Sequence, residues 1–369
     1  MDTRPSVTGT RVVAAMSGGV DSAVAAGLLA ERGFDVVGVT MKMYAPTKPR
    51  HAKSCCGAED FDDARRSAAV LGIPHYVLDF EEAFRTNVVD RFVDAYRNGR
   101  TPNPCVACNN FVKLGTLRRF ADRLGARFVA TGHYARLDHA EDGPHLAMGR
   151  DPQKDQSYAL AQLAPDQLER LLLPLGDLTK VETRAHAARL GLPVVEKAES
   201  QDICFTEGGD YRDVLAAAGP GAGVPGSVVT VQGERVGGHE GIAQFTVGQR
   251  RGLPATHFND GPRYVTRIDP RSNTIVIGRE DELDAFGLIA TEVNLIRPER
   301  FTGGPVAVRA MTRYRSPLNP ARASYDAATG ELHLTFESPE RAIAPGQLVA
   351  LYDVASAEVL GAATISEAL

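Results

Sequence analysis

Six consecutive residues, Ser17-Gly18-Gly19-Val20-Asp21-Ser22, put two hydroxyls, two glycines and a carboxylate into one short stretch. The apolar run at residues 11–16 predicts a buried strand, and residues 23–30 predict a helix. A glycine turn between a strand and a helix N-terminus binds anions. The first N–H groups of the helix lack intrahelical partners, and the helix dipole places its positive end there. Gly18 and Gly19 let the backbone approach the anion, and Ser17 and Ser22 add hydroxyl donors. A plain connecting turn needs none of this set. No Gly-Lys-Ser/Thr follows, so this is not the Walker loop.

The second reactive stretch is Thr101-Pro102-Asn103-Pro104-Cys105-Val106-Ala107-Cys108-Asn109, and the third is Ser200-Gln201-Asp202-Ile203-Cys204-Phe205. Two prolines in three residues predict a stiff extended loop. Cys108 is expected a few residues before a helix start, where a positive dipole lowers a thiol pKa. The chain has five cysteines, and an odd number does not make a disulfide framework. Three chemistries compete for Cys105, Cys108 and Cys204. A structural zinc site needs a fourth ligand, and none is evident. An iron–sulfur cluster on the three cysteines would leave one iron open. The favoured reading is a redox pair that carries sulfur as a persulfide or forms a transient disulfide. Cys204, between Ile203 and Phe205, could also be a small buried hydrophobe. Cys55-Cys56 reads as an exposed loop pair with no assigned role.

The elements that must position these groups alternate over the first ~200 residues. Strands are expected at 36–41, 74–78 and 127–131, and helices at 59–71 and 112–124, the last stopping at Gly125. Phe84, Val88, Phe92 and Tyr96 recur every four residues, which predicts a helix burying one face and ending at Asn98-Gly99. Such alternation implies a Rossmann-like parallel sheet with helices on both faces. Ligands of open sheets bind at the carboxyl ends of the strands, where residues 17–22 and Gly132-His133-Tyr134 both fall. From Gly208 onward, Gly and Pro become frequent between short β-branched runs such as 228–231, which predicts a small β-rich middle domain. The last segment alternates at 306–310, 332–336 and 348–352, with turns at Thr329-Gly330 and Pro345-Gly346, which predicts an antiparallel barrel. The expected domains are residues 1–208, 209–279 and 280–369.

The glycine loop resembles the pyrophosphate loop of the ATP pyrophosphatases, the adenine nucleotide alpha hydrolase-like enzymes that split ATP into AMP and pyrophosphate. The whole chain is similar to the bacterial tRNA-specific 2-thiouridylases. The motifs that carry this likeness are residues 16–22, Gly99-Arg100-Thr101-Pro102-Asn103-Pro104, Cys108-Asn109, Ala130-Thr131-Gly132-His133-Tyr134, Lys154-Asp155-Gln156-Ser157-Tyr158, Asp202-Ile203-Cys204-Phe205, Gly248-Gln249-Arg250-Arg251-Gly252-Leu253 and Arg313-Tyr314-Arg315. The resemblance implies ATP binding by Ala15, Met16, Ser17, Gly18, Gly19, Val20, Asp21, Ser22, Met41 and Gly132, with Asp21 helping to hold Mg2+. It implies that the wobble uridine of a tRNA anticodon enters near Asn103, Pro104 and Cys105. Lys154, Asp155, Gln156, Arg313 and Tyr314 match tRNA-contact positions. Cys204 would carry a persulfide delivered by a sulfur-relay or cysteine desulfurase partner. Cys108 would be the second catalytic cysteine, with a Cys108–Cys204 disulfide resulting. Some members carry Asp at the position of Cys105; here a Cys105-x-x-Cys108 pair results. His133 reads equally as a base or a packing residue.

Bulk properties agree with an ordinary globular protein. A chain of 369 residues buries a sizeable core in two or three domains. No apolar run reaches the ~18–20 residues of a membrane helix. The polar residues 1–9 lack a signal-peptide core, so a cytoplasmic location without membrane contact is expected. The net charge of −5 does not favour nucleic acid, but local patches decide binding. Candidate patches are Lys113, Arg118, Arg119, Arg123 and Arg127, then Arg250-Arg251, then Arg313 to Arg315. Two rival functions share parts of this pattern: an ATP-dependent ligase or amidotransferase that adds nitrogen, and an RNA-binding protein with a vestigial nucleotide fold.

Overall fold

The computed structural model describes residues 8–44, 57–198, 203–206, 209–219, 223–253, 258 and 261–369. Cys55, Cys56 and Ser200, Gln201 and Asp202 lie outside the described residues. The chain divides into two compact units, residues 1–88 with 105–208, and residues 89–104 with 209–369.

The first unit is built on a parallel sheet. β1 (Arg11–Ala15), β2 (Asp35–Lys42), β3 (His75–Asp79) and β4 (Phe128–Ala130) are joined by helices α1 (Val20–Glu31) and α2 (Ala58–Val70), among others. A hairpin of β5 (Ala135–Ala140) and β6 (Gly143–Met148) follows, and β7 (Leu171–Leu172) completes the sheet in the order β3-β2-β1-β4-β7. All pairings in this sheet are parallel. β1 and β2 read as unbroken apolar runs because both faces are covered, and their central residues are buried. α1 is buried almost all round, which explains its alanines and Gly27: a Cβ there would come within 2.7 Å of Leu190 Cδ1. The chain runs outward from β1 to β3 and then crosses back to β4. The crevice between the carboxyl ends of β1 and β4 is therefore the topological switch point.

Two helical stretches differ from expectation. The first, Glu81–Phe84 then Asp90–Arg97, is joined by a π-wound segment, Arg85–Val89. The second starts at Pro104–Ala107, widens into a π-helix over Cys108–Thr116 and ends as Leu117–Arg123. Helical winding thus begins eight residues earlier than residue 112. Pro104 stops being a loop signal because proline fits the first helical position, where its missing N–H costs nothing. Cys108 therefore sits inside the helical stretch, not ahead of it, and Cys105 is the thiol in the first turn. A nine-residue π segment at a reactive residue is unusual, since π winding is rare and gathers at functional sites.

In the second unit, strands Gly226–Thr230, Arg235–His239, Tyr264–Asp269 and Thr274–Gly278 form one four-stranded sheet around Val228, Val265, Ile275 and Ile277. Six antiparallel strands, from Asp284–Leu295 to Val359–Ala368, close into a barrel packed with Leu288, Leu334, Val349 and Leu351. The expected fold class is the observed one. Closure leaves no open sheet edge, which suits a sequence so rich in β-branched and alternating residues.

Candidate active site

The loop after β1 is held open by its own side chains. Ser17 N donates to Ser22 Oγ (3.1 Å), and Ser22 Oγ donates to Gly19 O (3.1 Å). Ser22 is buried and spends its hydroxyl on shaping the loop, while Ser17 is exposed. Gly18 has φ +75°, and a Cβ there would lie 2.2 Å from Asp60 O at the start of α2. Gly132, after β4, packs as closely from the other side: a Cβ would meet Asp21 C and Ser22 N at 2.8 Å. Among the described residues, no acceptor faces the N–H groups of Gly19, Val20 and Asp21. They form the oriented set of donors an anion needs. Ala15, Met16, residues 17–22 and Gly132 are brought together at the carboxyl edges of β1 and β4. Met41 is buried at the same edge of β2.

Asp21 is gripped by Tyr134, from the motif after β4, and by Lys180, which motif reading did not select. Lys180 Nζ lies 2.7 Å and the Tyr134 hydroxyl 2.8 Å from Asp21 Oδ1, and the Tyr134 hydroxyl also lies 3.0 Å from Thr183 Oγ1. Lys180 opens helix Lys180–Arg189, whose N-terminus is a capping box: Thr179 N donates to Glu182 Oε2 (2.7 Å) and Glu182 N to Thr179 Oγ1. The Thr179-x-x-Glu182 spacing was a readable signal for that helix start. Nothing local ties Lys180 to Asp21.

Cys108 is buried, Cys204 half-buried and Cys105 exposed. Cys108 Sγ lies 3.9 Å from Met43 Sδ, just past the end of β2, so this thiol reaches the same edge as the loop. Cys204 belongs to a short turn, Cys204–Thr206, pinned by the buried Phe205 against Phe84 with ring centroids 5.8 Å apart. The Glu81–Phe84 turn also packs against the π segment that begins at Cys108. Both cysteine segments therefore rest on one support. Among the described residues, no three His, Cys, Asp or Glu side chains gather as a metal-binding group. The donor set of an iron–sulfur or zinc centre on Cys105, Cys108 and Cys204 is thus not assembled among the described residues.

Behind Cys108, buried Asn109 donates to Ala159 O (2.9 Å) and accepts from Lys113 Nζ (2.9 Å). His133 is buried, with Nδ1 2.7 Å from Thr131 Oγ1. Burial pushes its imidazole well below the ordinary 6.5, and the Lys113 ammonium acts in the same direction. His133 is therefore neutral at pH 7. Below pH 6.5 the unfolded chain binds a proton that the folded chain refuses. Stability is fully present above pH 6.5 and falls as pH drops, by up to about 1.4 kcal/mol per pH unit. Denaturant melts at pH 7.5 and 5.5 should show a smaller loss for His133→Gln than for the parent chain.

The remaining expected site residues lie as follows. Asp155 is buried and accepts from Gly149 N (2.7 Å) and Ser157 Oγ (2.8 Å); burial raises its pKa despite these donors. Gln156 Oε1 accepts from Tyr134 N (3.0 Å), so these two brace the turn after β4, with Lys154 half-buried beside them. Asn103 is half-buried and Pro104 buried; the preceding Thr101 donates to Pro345 O (2.7 Å) and accepts from Gln347 Nε2 (2.9 Å). Arg313 and Tyr314 are not in a strand. Strand Val306–Met311 has ended, and both are exposed in a turn where Arg315 adopts φ +64° and covers the Tyr314 ring at 5.2 Å. The basic run from Lys113 is not one surface: Lys113 turns to Asn109, and Arg118 pairs with Asp166 (2.8 Å).

Three family models match successive parts of the chain: a tRNA methyl transferase HUP domain at residues 10–208, a tRNA methyl transferase PRC-barrel domain at 212–279 and an aminomethyltransferase beta-barrel domain at 286–365. The tRNA-specific 2-thiouridylase MnmA of Methylorubrum populi is 47% identical over 363 residues, covering 96% of this chain and 93% of that protein. The proteins of that name from Rickettsia bellii and Moorella thermoacetica are 42% and 44% identical, over 96% and 92% of this chain and 96% and 95% of theirs. With a phosphate-type loop and a buried thiol on one sheet edge, and with likeness running through all three domains, the chain belongs to the tRNA-specific 2-thiouridylase family.

Proposed function

We propose that this chain is a tRNA-uridine 2-sulfurtransferase that uses ATP to thiolate the wobble uridine of the anticodon. Residues 1–208 adenylate and carry the cysteines, and residues 209–279 and 280–369 contribute tRNA-binding surface. ATP places its pyrophosphate on the N–H groups of residues 18–22, beside Ala15, Met16, Ser17, Met41 and Gly132. Asp21 is the carboxylate that would hold the Mg2+ accompanying the nucleotide, and that ion would supply charge neutralisation. The base enters beside Asn103, Pro104 and Cys105. Lys154, Arg313 and Tyr314 meet the tRNA, and Asp155 and Gln156 set the Lys154 turn.

The 2-carbonyl oxygen of the base attacks the α-phosphorus of ATP, and pyrophosphate leaves. The adenylated C2 is then an electrophile with AMP as leaving group. Cys204, loaded as a persulfide by a sulfur-relay protein or cysteine desulfurase, supplies the sulfur. In one route the Cys108 thiolate attacks Cys204 Sγ and releases sulfide, which displaces AMP from C2. In the other the terminal persulfide sulfur displaces AMP itself, and Cys108 then attacks Cys204 Sγ to free the thiouridine. Both routes reduce the sulfane sulfur by two electrons and leave a Cys108–Cys204 disulfide, which a thiol reductant reopens. Such an enzyme works in the cytoplasm, where tRNA and ATP are; among the described residues no helix is long and apolar enough to cross a membrane.

The observation that carries this reading is the placement of Cys108 at the same sheet edge as the donor-lined loop. The direct test of the first step is pyrophosphate release from ATP. It should depend on tRNA bearing an unmodified wobble uridine and should need neither ammonia nor glutamine; dependence on a nitrogen donor would favour the ligase alternative. Lys180→Met should lower this release by about 10²-fold, since it removes the cation that faces Asp21 where negative charge builds.

A further inference from the structure

Lys197 has no place in the chemistry above, yet its ammonium reaches three oxygens around the phosphate-type loop. Nζ lies 2.9 Å from Gly18 O and 2.8 Å from Asp60 Oδ1, and it also binds the Asp63 carboxylate. Three partners use all three donors of an ammonium. Its own backbone is anchored, because Arg184 donates to Val195 O and Lys197 O. The acids are anchored too. Asp60 is buried and accepts from Gly57 N (2.9 Å) at the start of α2, and Asp63 also pairs with Arg66.

The consequence falls on the Gly18–Gly19 peptide. In a trans peptide the C=O and N–H point in opposite directions. Lys197 holds the Gly18 carbonyl on the α2 side, so the Gly19 N–H is turned the other way, toward the loop opening. The two glycines, at φ +75° and φ −96°, offer little resistance to a peptide flip. A flip would replace a donor by a carbonyl oxygen where phosphate must sit. Lys197 is the group that selects one orientation. It also neutralises Asp60 and Asp63, which would otherwise repel a polyphosphate from behind the loop. Burial works against the ammonium, but its bonds to the two carboxylates outweigh this and raise its pKa.

We propose that Lys197 is a positioning residue for adenylation: by holding Gly18 O it fixes the Gly18–Gly19 peptide with its N–H toward the nucleotide phosphates. This rests on the adenylation reading above and adds to it a selectivity for phosphate over nucleoside. The test is calorimetric binding of Mg-ATP and of adenosine to the full chain. Lys197→Met should weaken ATP by about tenfold or more while leaving adenosine within about twofold. Because that variant removes the Lys197 charge from beside Asp60 and Asp63, the double variant Asp63→Asn with Lys197→Met takes away one of the two negative charges and should show the same selective loss. Lys197→Gln, which keeps an N–H donor, should recover part of the ATP affinity. Equal weakening of ATP and adenosine, or no change in either, would overturn the proposal and mark Lys197 as a packing residue. Failure of the parent chain to bind ATP would instead strike the adenylation reading itself.

Discussion

Cys204→Ser is expected to abolish 2-thiouridine formation while leaving tRNA-dependent pyrophosphate release within about twofold of the parent chain. The two steps use different groups. In the proposed reaction, adenylation uses the loop donors, Asp21 and the base oxygen, and sulfur transfer uses the thiol. Cys204 sits on a turn pinned by Phe205 against Phe84, so an isosteric hydroxyl preserves that packing and removes only the sulfur chemistry. Cys108→Ser should give the same split, since buried Cys108 belongs to the π-wound segment against Met43 and is not one of the loop residues. The two variants differ in what accumulates. Cys204→Ser cannot be loaded as a persulfide, whereas Cys108→Ser should retain the persulfide on Cys204. Intact-mass measurement after incubation with a sulfur donor checks this, with a gain of one sulfur atom expected only when Cys204 is present. Loss of pyrophosphate release in either variant would mean that the cysteines take part in adenylation.

Gly18→Ala is expected to act on the other half of the reaction. A Cβ at Gly18 would lie 2.2 Å from Asp60 O and 2.8 Å from Asp60 C, both backbone atoms of a buried helix start. The residue is also in the left-handed region, where alanine is strained. Overpacking and strain together cost roughly 2–4 kcal/mol. The cheapest relief is a shift of the loop, which misaims the donors. Pyrophosphate release should fall by about 10² or more, through weaker ATP use and not weaker tRNA binding. Steady-state rates at varied ATP and varied tRNA separate the two. Gly132→Ala should behave similarly, since its Cβ meets the backbone of Asp21 and Ser22. Gly72→Ala is a control: it also has positive φ, but no atom lies within 4 Å, and activity should be kept.

Where apolar runs and turns coincide, local sequence determines the structure, and reading it succeeds. Residues 11–16 and 36–41 became β1 and β2 because a doubly covered parallel strand has no polar face to confuse the pattern. The glycine loop was legible for the same reason: its function depends on consecutive residues. The winding around Cys108 was not, because Pro104 reads alike as a loop breaker and as a first helical residue, and because π widening has no simple sequence period. Lys180 and Lys197 were invisible as site residues. Their partners Asp21 and Gly18 lie 159 and 179 positions away, and only the fold brings them together. Asp155 illustrates the converse, a charged residue in a motif whose carboxylate is spent on Gly149 and Ser157 inside the protein.

In the proposed reaction one chain adenylates a tRNA base at the loop and sulfurates it with Cys204 and Cys108. The measurement is nucleoside mass spectrometry of undermodified tRNA incubated with the protein, ATP, Mg2+ and a persulfide donor. The parent chain should form 2-thiouridine at the wobble position, and Cys108→Ser and Cys204→Ser should form none. Thiouridine formed equally by both serine variants, or none from a folded chain that binds ATP and carries a persulfide on Cys204, would contradict it.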